Sequence, residues 1–380
     1  MKENRIKELY AEGQSLWLDN INRRLIASGE LQRLIDDGLT GVTSNPTIFE
    51  KAIGESADYD DEIRRRIAEG KAVPEVVDAL MVSDIRMAAD LFRPVYERTG
   101  GGDGFVSIEL NPNLAYRTEE SVEAAKGLRP RISRENVMIK IPATKEGLPA
   151  IEAATAEGIS VNVTLLFSLE RYEAVARAYL AGMKSRLEKS LPVDSIRSVA
   201  SVFVSRIDTA VDRLLEGRIQ AAGSEGEKKE LRSLLGRAGI ANAKMIYQKF
   251  KEIFHGSDFS ALRKNGVTLQ RVLWGSTGTK NPNYSDLLYV EELIGPETVN
   301  TVPPATLKAF IDHGTVRPSL EEGLEEARAV LQKLAALGID LQKVTGRLEE
   351  EGVKSFSDSY EKLIARVAEK GRRMTAKKIA

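Results

Sequence analysis

Eight short apolar segments, separated by longer stretches of helical periodicity, constrain this chain more than any other feature. They read QSLWLDN, GLTGVTSN, GFVSIELN, NVMIKIPA, ISVNVTLLF, SVASVFVSR, QRVLWGST and ETVNTVPP. Alternating strand and helix patterns predict β-α units around a parallel sheet. Eight parallel strands are the number that closes a barrel, so the expected class is α/β, a TIM (β/α)8 barrel.

The segments NRRLIASGELQRLIDDG, SVEAAKGLRPRIS, GLPAIEAATAEG and SLERYEAVARAYLAGMKSRLEKS repeat apolar residues at spacings of three and four. That is the face a helix packs on a barrel. Residues of about 210–268 carry helical patterns but no strand set, which predicts a helical insertion after strand 6. Residues of about 318–380 hold two amphipathic helices that close the outer ring and extend past it. The whole chain, 1–380, reads as a single barrel domain. Within its last part, GVKSFSDSY is either a link folded over a barrel mouth or, more economically, a helix N-cap at Ser357 or Asp358. TGGGDGF precedes a strand instead of joining strand to helix, so it reads as a loop at the barrel bottom and not as a dinucleotide fingerprint.

Composition removes whole classes of function. With 42% hydrophobic and 29% charged residues the chain can bury a large core and is too balanced for disorder. A formal charge of -1 and a pI near 6.3 give no global field for nucleic acid or membrane partners. IRRRIAEGK and KGRRMTAKK read as solvated helix faces. The absence of Cys excludes disulfides, thiolate nucleophiles and Cys-bound metals. The only two histidines, His255 and His313, lie far apart in sequence, so neither a metal nor a cofactor is expected. No signal-like apolar core and no run of about 18 apolar residues is evident, and the cytoplasm is the expected compartment. An isologous homodimer is the default assembly for such a barrel.

Both faces of a parallel-barrel strand are buried, so a polar residue within one needs a reason. At period two, Trp17 and Asp19 share a face, as do Thr43 and Asn45, Ser107 and Glu109, Met138 and Lys140, Asn162 and Thr164, Ser201 and Phe203, and Trp274 and Ser276. These polar groups fall toward the C-terminal ends of the strands, where barrel active sites are built. Taken singly, Asp19 or Asn45 would pass for a turn former. Together with a Lys they define a candidate site.

Lys140 is the anomaly, an ammonium inside a run of Val, Met and Ile. Two readings are open. On an edge strand it would snorkel to water. Fully desolvated, a Lys escapes by losing its proton, and a neutral amine attacks ketones to form an iminium. That is aldol cleavage without a metal, for which Glu109 and Asp19 could divide the proton transfers. Asn45, Asn162, Thr164 and Ser201 offer hydrogen bonds suited to sugar hydroxyls. WGSTGTKNPNYSD follows strand 7, where barrels hold phosphate, and supplies Ser276 and Lys280, while Arg206 after strand 6 is a further candidate. A surface salt bridge is the plain alternative for Arg206.

From SLWLDNI through GVTSNPTIFEKAI, IKIPAT, VNVTLLFS, VFVSRID and WGSTGTKNP, nearly the whole chain resembles the transaldolase family. The resemblance implies a Schiff-base Lys on the fourth strand, where Lys140 lies. It further implies Asp19 as acid/base at bond cleavage, Glu109 as acting through a catalytic water and Thr164 as positioning that water. Asn45, Asn162 and Ser201 would bind the retained three-carbon unit, and Arg206 with Ser276 the phosphate. The implied substrates are sugar phosphates: a dihydroxyacetone unit passes from sedoheptulose 7-phosphate or fructose 6-phosphate to glyceraldehyde 3-phosphate or erythrose 4-phosphate, within the non-oxidative pentose phosphate pathway. Two departures stand out. Many relatives carry Pro and Gly where this chain has Val202 and Ser205, and an Arg where it offers Thr279 and Lys280. This looks like a divergent subfamily, in some members fused to a sugar-phosphate isomerase. The rival readings are a fructose-6-phosphate aldolase-like enzyme and a catalytically silent sugar-phosphate-binding barrel. Glu109 favours transfer over the first, because aldolase-like relatives tend to carry Gln there, and the presence of Lys140, Asp19 and Glu109 together opposes the second.

Overall fold

The eight apolar segments become β1 (Gln14–Leu18), β2 (Gly41–Thr43), β3 (Phe105–Glu109), β4 (Val137–Pro142), β5 (Val161–Leu166), β6 (Ser198–Phe203), β7 (Gln270–Gly275) and β8 (Thr298–Val302). They pair in chain order, all parallel, and β8 pairs with β1 to close the barrel. The structure, a computed structural model, describes residues 4–376. The expected barrel is therefore present.

Four helices separate β6 from β7: Ser205–Ala221, Glu225–Arg232, Ala238–Phe254 and Ser257–Lys264. Three follow β8, at Pro304–His313, Leu324–Ala336 and Leu341–Ala376. The N-cap expected at Ser357 or Asp358 is not there, because the last helix runs unbroken through both. Its apolar face continues across the segment through Val353, Phe356, Tyr360, Leu363 and Val367, and Lys354 pairs with Asp358 one turn on, so nothing stops it. Conversely, NRRLIASGELQRLIDDG is two helices, Arg23–Ala27 and Glu30–Asp36, divided at Gly29 with its φ of 75°.

The last helix lies across the mouth of the barrel. Ser359 bonds Thr47 at 2.9 Å, Glu361 accepts from Asn113 at 2.9 Å, Arg366 meets Glu50 at 2.9 Å and Lys370 meets Asp60 at 2.8 Å. These partners come from the segments that follow β2 and β3, and nearer its start Glu349 meets Arg171, in the helix after β5, at 3.3 Å, so the helix is clamped over one side of the opening. IRRRIAEGK is a carboxylate-paired helix face, with Arg66 on Glu62 and Arg64 on Asp61. The end of KGRRMTAKK, from Lys377 on, lies outside the described residues.

The lower interior is filled by Trp17, Phe105, Met138, Val199, Leu273 and Val299, one residue from each of six strands. TGGGDGF does form the loop beneath them. Its Asp103 accepts from Trp17 Nε1 at 2.8 Å and from Ser15, and meets Arg271 at 3.5 Å, which plugs the bottom with a hydrogen-bonded polar cluster. On β7 the inward residue is thus Leu273, not Trp274 as strand parity from Ser276 suggested. Trp274 is packed in the layer between barrel and helices. Ser276 reaches the interior differently: its φ of 54° turns the chain by one residue just past the strand end.

Gly41 pairs with Trp17 in register, and a Cβ there would sit 2.6 Å from the indole. Gly41→Ala is expected to destabilise the fold by about 1–3 kcal/mol through overpacking, read as a lower denaturant midpoint with unchanged slope. An unchanged midpoint would show that the Trp17 layer is not close-packed.

Candidate active site

Lys140 is only 5% exposed, and a closed barrel has no edge strand, so the snorkelling reading falls. Its Nζ donates to the Ser44 carbonyl at 2.9 Å and lies 3.4 Å from Glu109 Oε2. The β3–β4 register places Glu109 directly opposite Lys140, so the pair follows from strand alignment. Burial pushes the Glu109 carboxyl up to about 7, against the pull of Lys140 and with a small push from Asp19.

The TSNP motif builds one wall. Thr43 Oγ1 is 2.7 Å from Asp19 Oδ1 and 2.6 Å from Thr301 Oγ1. Ser44 offers its carbonyl to Lys140 while its hydroxyl donates to Ser107 O at 2.7 Å. Asn45 caps the Pro46–Glu55 helix by accepting from Ile48 N, which leaves its amide NH2 as a donor at the pocket wall. Asn45 thus combines a helix cap with a place on the cavity wall. Burial raises the Asp19 pKa above the ordinary carboxylate value, opposed by Lys140, the Thr43 bond and Arg206.

On the next strands Ser201 Oγ donates to Asn162 Oδ1 at 2.6 Å, and Asn162 Nδ2 donates to Ser107 Oγ at 3.0 Å. A bulge between Val163 and Leu166, with Leu165 at φ 54°, ends this part of β5. Thr164 Oγ1 and Glu109 Oε2 are buried without a hydrogen-bond partner among the described residues.

Above this polar layer opens a cavity of about 270 Å³. Asp19, Asn45, Lys140, Ser201, Arg206, Ser276 and Lys280 all line it. Glu109, Asn162 and Thr164 do not: Asn162 lies beneath, and Glu109 faces a recess of about 10 Å³ beside Pro112 and Leu165. Phe356 of the last helix borders both spaces. Arg206 stacks over Phe203 at 5.3 Å, and burial draws its pKa down, with Asp19 and then Glu351 opposing. Desolvation and then the Arg206 charge push Lys280 down. Among the described residues neither cation has a carboxylate partner within ion-pair distance, unlike the surface Arg and Lys residues that lace the helices.

The chain matches the Transaldolase/Fructose-6-phosphate aldolase family over residues 16–367. The chain belongs to this family. It is 44% identical to a protein named Transaldolase from Trichodesmium erythraeum, covering 99% of this chain and 100% of that one. It is 46% identical to a Transaldolase from Thiobacillus denitrificans, over 96% and 99% of the two chains. With a Transaldolase from Saccharopolyspora erythraea it shares 48% identity over 96% and 97%. The transaldolase resemblance read from the motifs is thus borne out. Ser205, the first residue of the helix after β6, bonds Ser276 at 3.0 Å and so joins that helix to the loop after β7.

Sequence reasoning missed Thr301, Lys51 and Phe356. Thr301 had a signal, since it shares inward parity with Val299 on β8. Lys51 is an exposed residue of the Pro46–Glu55 helix, and Phe356 one of many helical apolar residues, so only their tertiary placement on the cavity distinguishes them. His255 bonds Glu297 and His313 bonds Asp286 and Asp312, all away from the cavity.

The Glu109 carboxyl has a raised folded pKa, so between its ordinary 4.5 and about 7 the native state holds more protons than the unfolded chain. Its contribution to stability is full below that window and is lost as pH rises through about 7. Infrared difference spectra of wild type against Glu109→Gln are expected to show a protonated carboxyl band that disappears with a midpoint near pH 7. A midpoint in the usual carboxylate range would contradict this environment.

Proposed function

We propose that the chain is a transaldolase that carries a dihydroxyacetone unit from a ketose phosphate to an aldose phosphate on Lys140. The observation that carries this reading is the buried pair of Lys140 and Glu109 at 3.4 Å, within a family member whose relatives bear that name over the full chain. Glu109, a base held near neutrality beside the ammonium, takes the proton that Lys140 must lose. The free amine then attacks the ketose carbonyl, water leaves, and an iminium forms.

Asp19 removes the proton from the hydroxyl on the departing carbon. The adjacent carbon–carbon bond breaks, its electron pair moves toward the iminium nitrogen, and an enamine remains while the aldose phosphate leaves. Attack of the enamine on a second aldose phosphate reverses these steps. Asn45, Asn162 and Ser201 hold the retained unit, Asn162 through Ser201, which lines the cavity. Thr164 Oγ1 and Glu109 Oε2, the unsatisfied oxygens of β5 and β3, suit a water that shuttles protons during iminium formation and hydrolysis. Arg206, Ser276 and Lys280 take the phosphate, which explains two cations left without carboxylates.

We further read 1–380 as one catalytic barrel domain, with the helices after β6 and β8 as additions to it. The cytoplasm suits substrates whose phosphate charge keeps them from crossing membranes, and no described helix is long and apolar enough to span one. An isologous dimer is the assembly to examine by sedimentation.

Incubation with fructose 6-phosphate followed by borohydride is expected to leave a dihydroxyacetone-sized adduct on Lys140, absent in Lys140→Ala. Erythrose 4-phosphate is expected to accelerate turnover, and failure to do so would favour the aldolase reading. Asp19→Asn is expected to lower kcat by about 10²–10⁴ while Lys140 still forms its iminium, now trapped by borohydride as an adduct the size of fructose 6-phosphate because cleavage is blocked. Labelling unaffected by Lys140→Ala would sink the mechanism.

A further inference from the structure

Arg206 and Lys280 present two like charges to one cavity, neither within ion-pair distance of a carboxylate among the described residues, so something else must hold them there. Arg206 belongs to the first turn of the Ser205–Ala221 helix, whereas Lys280 lies in the irregular loop between β7 and the Leu288–Glu291 helix. That loop is pinned at its start: Ser276 bonds Ser205, and Thr277 Oγ1 donates to Asn300 Oδ1 at 2.8 Å. At its far side Tyr284 OH donates to Asp212 Oδ2 at 2.7 Å, and Asp212 Oδ1 accepts from Gly236 N at 3.0 Å. Gly236, at φ 69°, leaves room for the phenol, since a Cβ there would lie 2.8 Å from Tyr284 Cζ.

Asp212 and Arg206 share one helix but not one task. Asp212 is buried and saturated by a phenol and a backbone NH, so it fixes the loop without neutralising the cations. One turn earlier Asp208 accepts from Gly239 N at 2.7 Å with the Tyr289 phenol against it, and is equally withdrawn from the cavity. Two carboxylates close to an anion site in sequence are thus spent on tyrosines and glycine amides.

We propose that Asp212 and Tyr284 form a latch that positions Lys280 opposite Arg206, which makes them positioning residues for the substrate's phosphate. The proposal rests on the phosphate reading above. Mutual repulsion of the two cations would spread the loop, and the latch opposes it through a charge-assisted hydrogen bond outside the site.

The test compares fructose 6-phosphate with unphosphorylated fructose as donor in Tyr284→Phe, with Asp212→Asn as a second variant should the first fold poorly. KM for fructose 6-phosphate is expected to rise about three- to tenfold, the effect of one lost hydrogen bond, at unchanged kcat. Turnover of fructose stays at the wild-type value. Adding Tyr284→Phe to Lys280→Ala is expected to raise KM no further, because the latch acts through Lys280. An unchanged KM, a parallel loss with both donors, or additive effects in the double variant would overturn the latch. Borohydride trapping on Lys140 from fructose 6-phosphate in the same variants keeps that outcome separate from failure of the Schiff-base reading. If Lys280→Ala itself leaves the phosphate-dependent KM unmoved, there is nothing to position and the proposal falls.

Discussion

A buried ammonium is the constraint around which this molecule is arranged. Removing an ion from water costs several kcal/mol after relaxation, and a barrel interior tolerates one only when its donors are occupied. Here three neighbouring strands share the work. Lys140 on β4 faces Glu109 on β3 across the register, and the chain just past β2 turns so that the Ser44 carbonyl completes the cradle. β2 itself spans only Gly41–Thr43, and this brevity brings the Ser44 backbone into reach.

Around that cradle the polar residues are bonded mostly to one another. Ser107, Asn162 and Ser201 form a chain through β3, β5 and β6, and Asp19, just past β1, joins Thr43 of β2 and Thr301 of β8 in a second. Each hydroxyl or amide that touches the cavity is therefore oriented before any ligand arrives, which is how a rigid scaffold lowers the reorganisation needed during reaction. The aromatic layer beneath, with Trp17 seated on Gly41, gives those strands a fixed spacing.

Much of this was legible in the sequence because period-two parity and parallel pairing act locally. Parity placed Glu109, Lys140, Asn162 and Ser201 inward, and the structure agrees. It failed at Ser276, where a non-glycine residue with positive φ shifts the chain by one step and sends Trp274 outward. The same conformation at Leu165 ends the regular part of β5, so Thr164 sits at a bulge instead of in a regular rung. Such dihedrals leave no trace in composition or spacing. Nor did the sequence disclose that Ser357 and Asp358 would stay helical, since capping residues signal a start only where the apolar stripe is interrupted. Lys51 and Phe356 came to the cavity from elements whose local pattern records only a surface and a buried face.

The plug of Asp103, Ser15 and Arg271 has a kinetic meaning beyond stability. With the floor filled by this plug and the last helix strapped across one side of the mouth, the cavity faces the C-terminal end of the barrel. On the mechanism proposed above, the first aldehyde and the second use that same end, so the departing product clears the threshold before its successor comes in. Alternation of donor and acceptor in that Schiff-base mechanism then follows from architecture as much as from the covalent bond, and the loaded amine waits in a chamber closed from below.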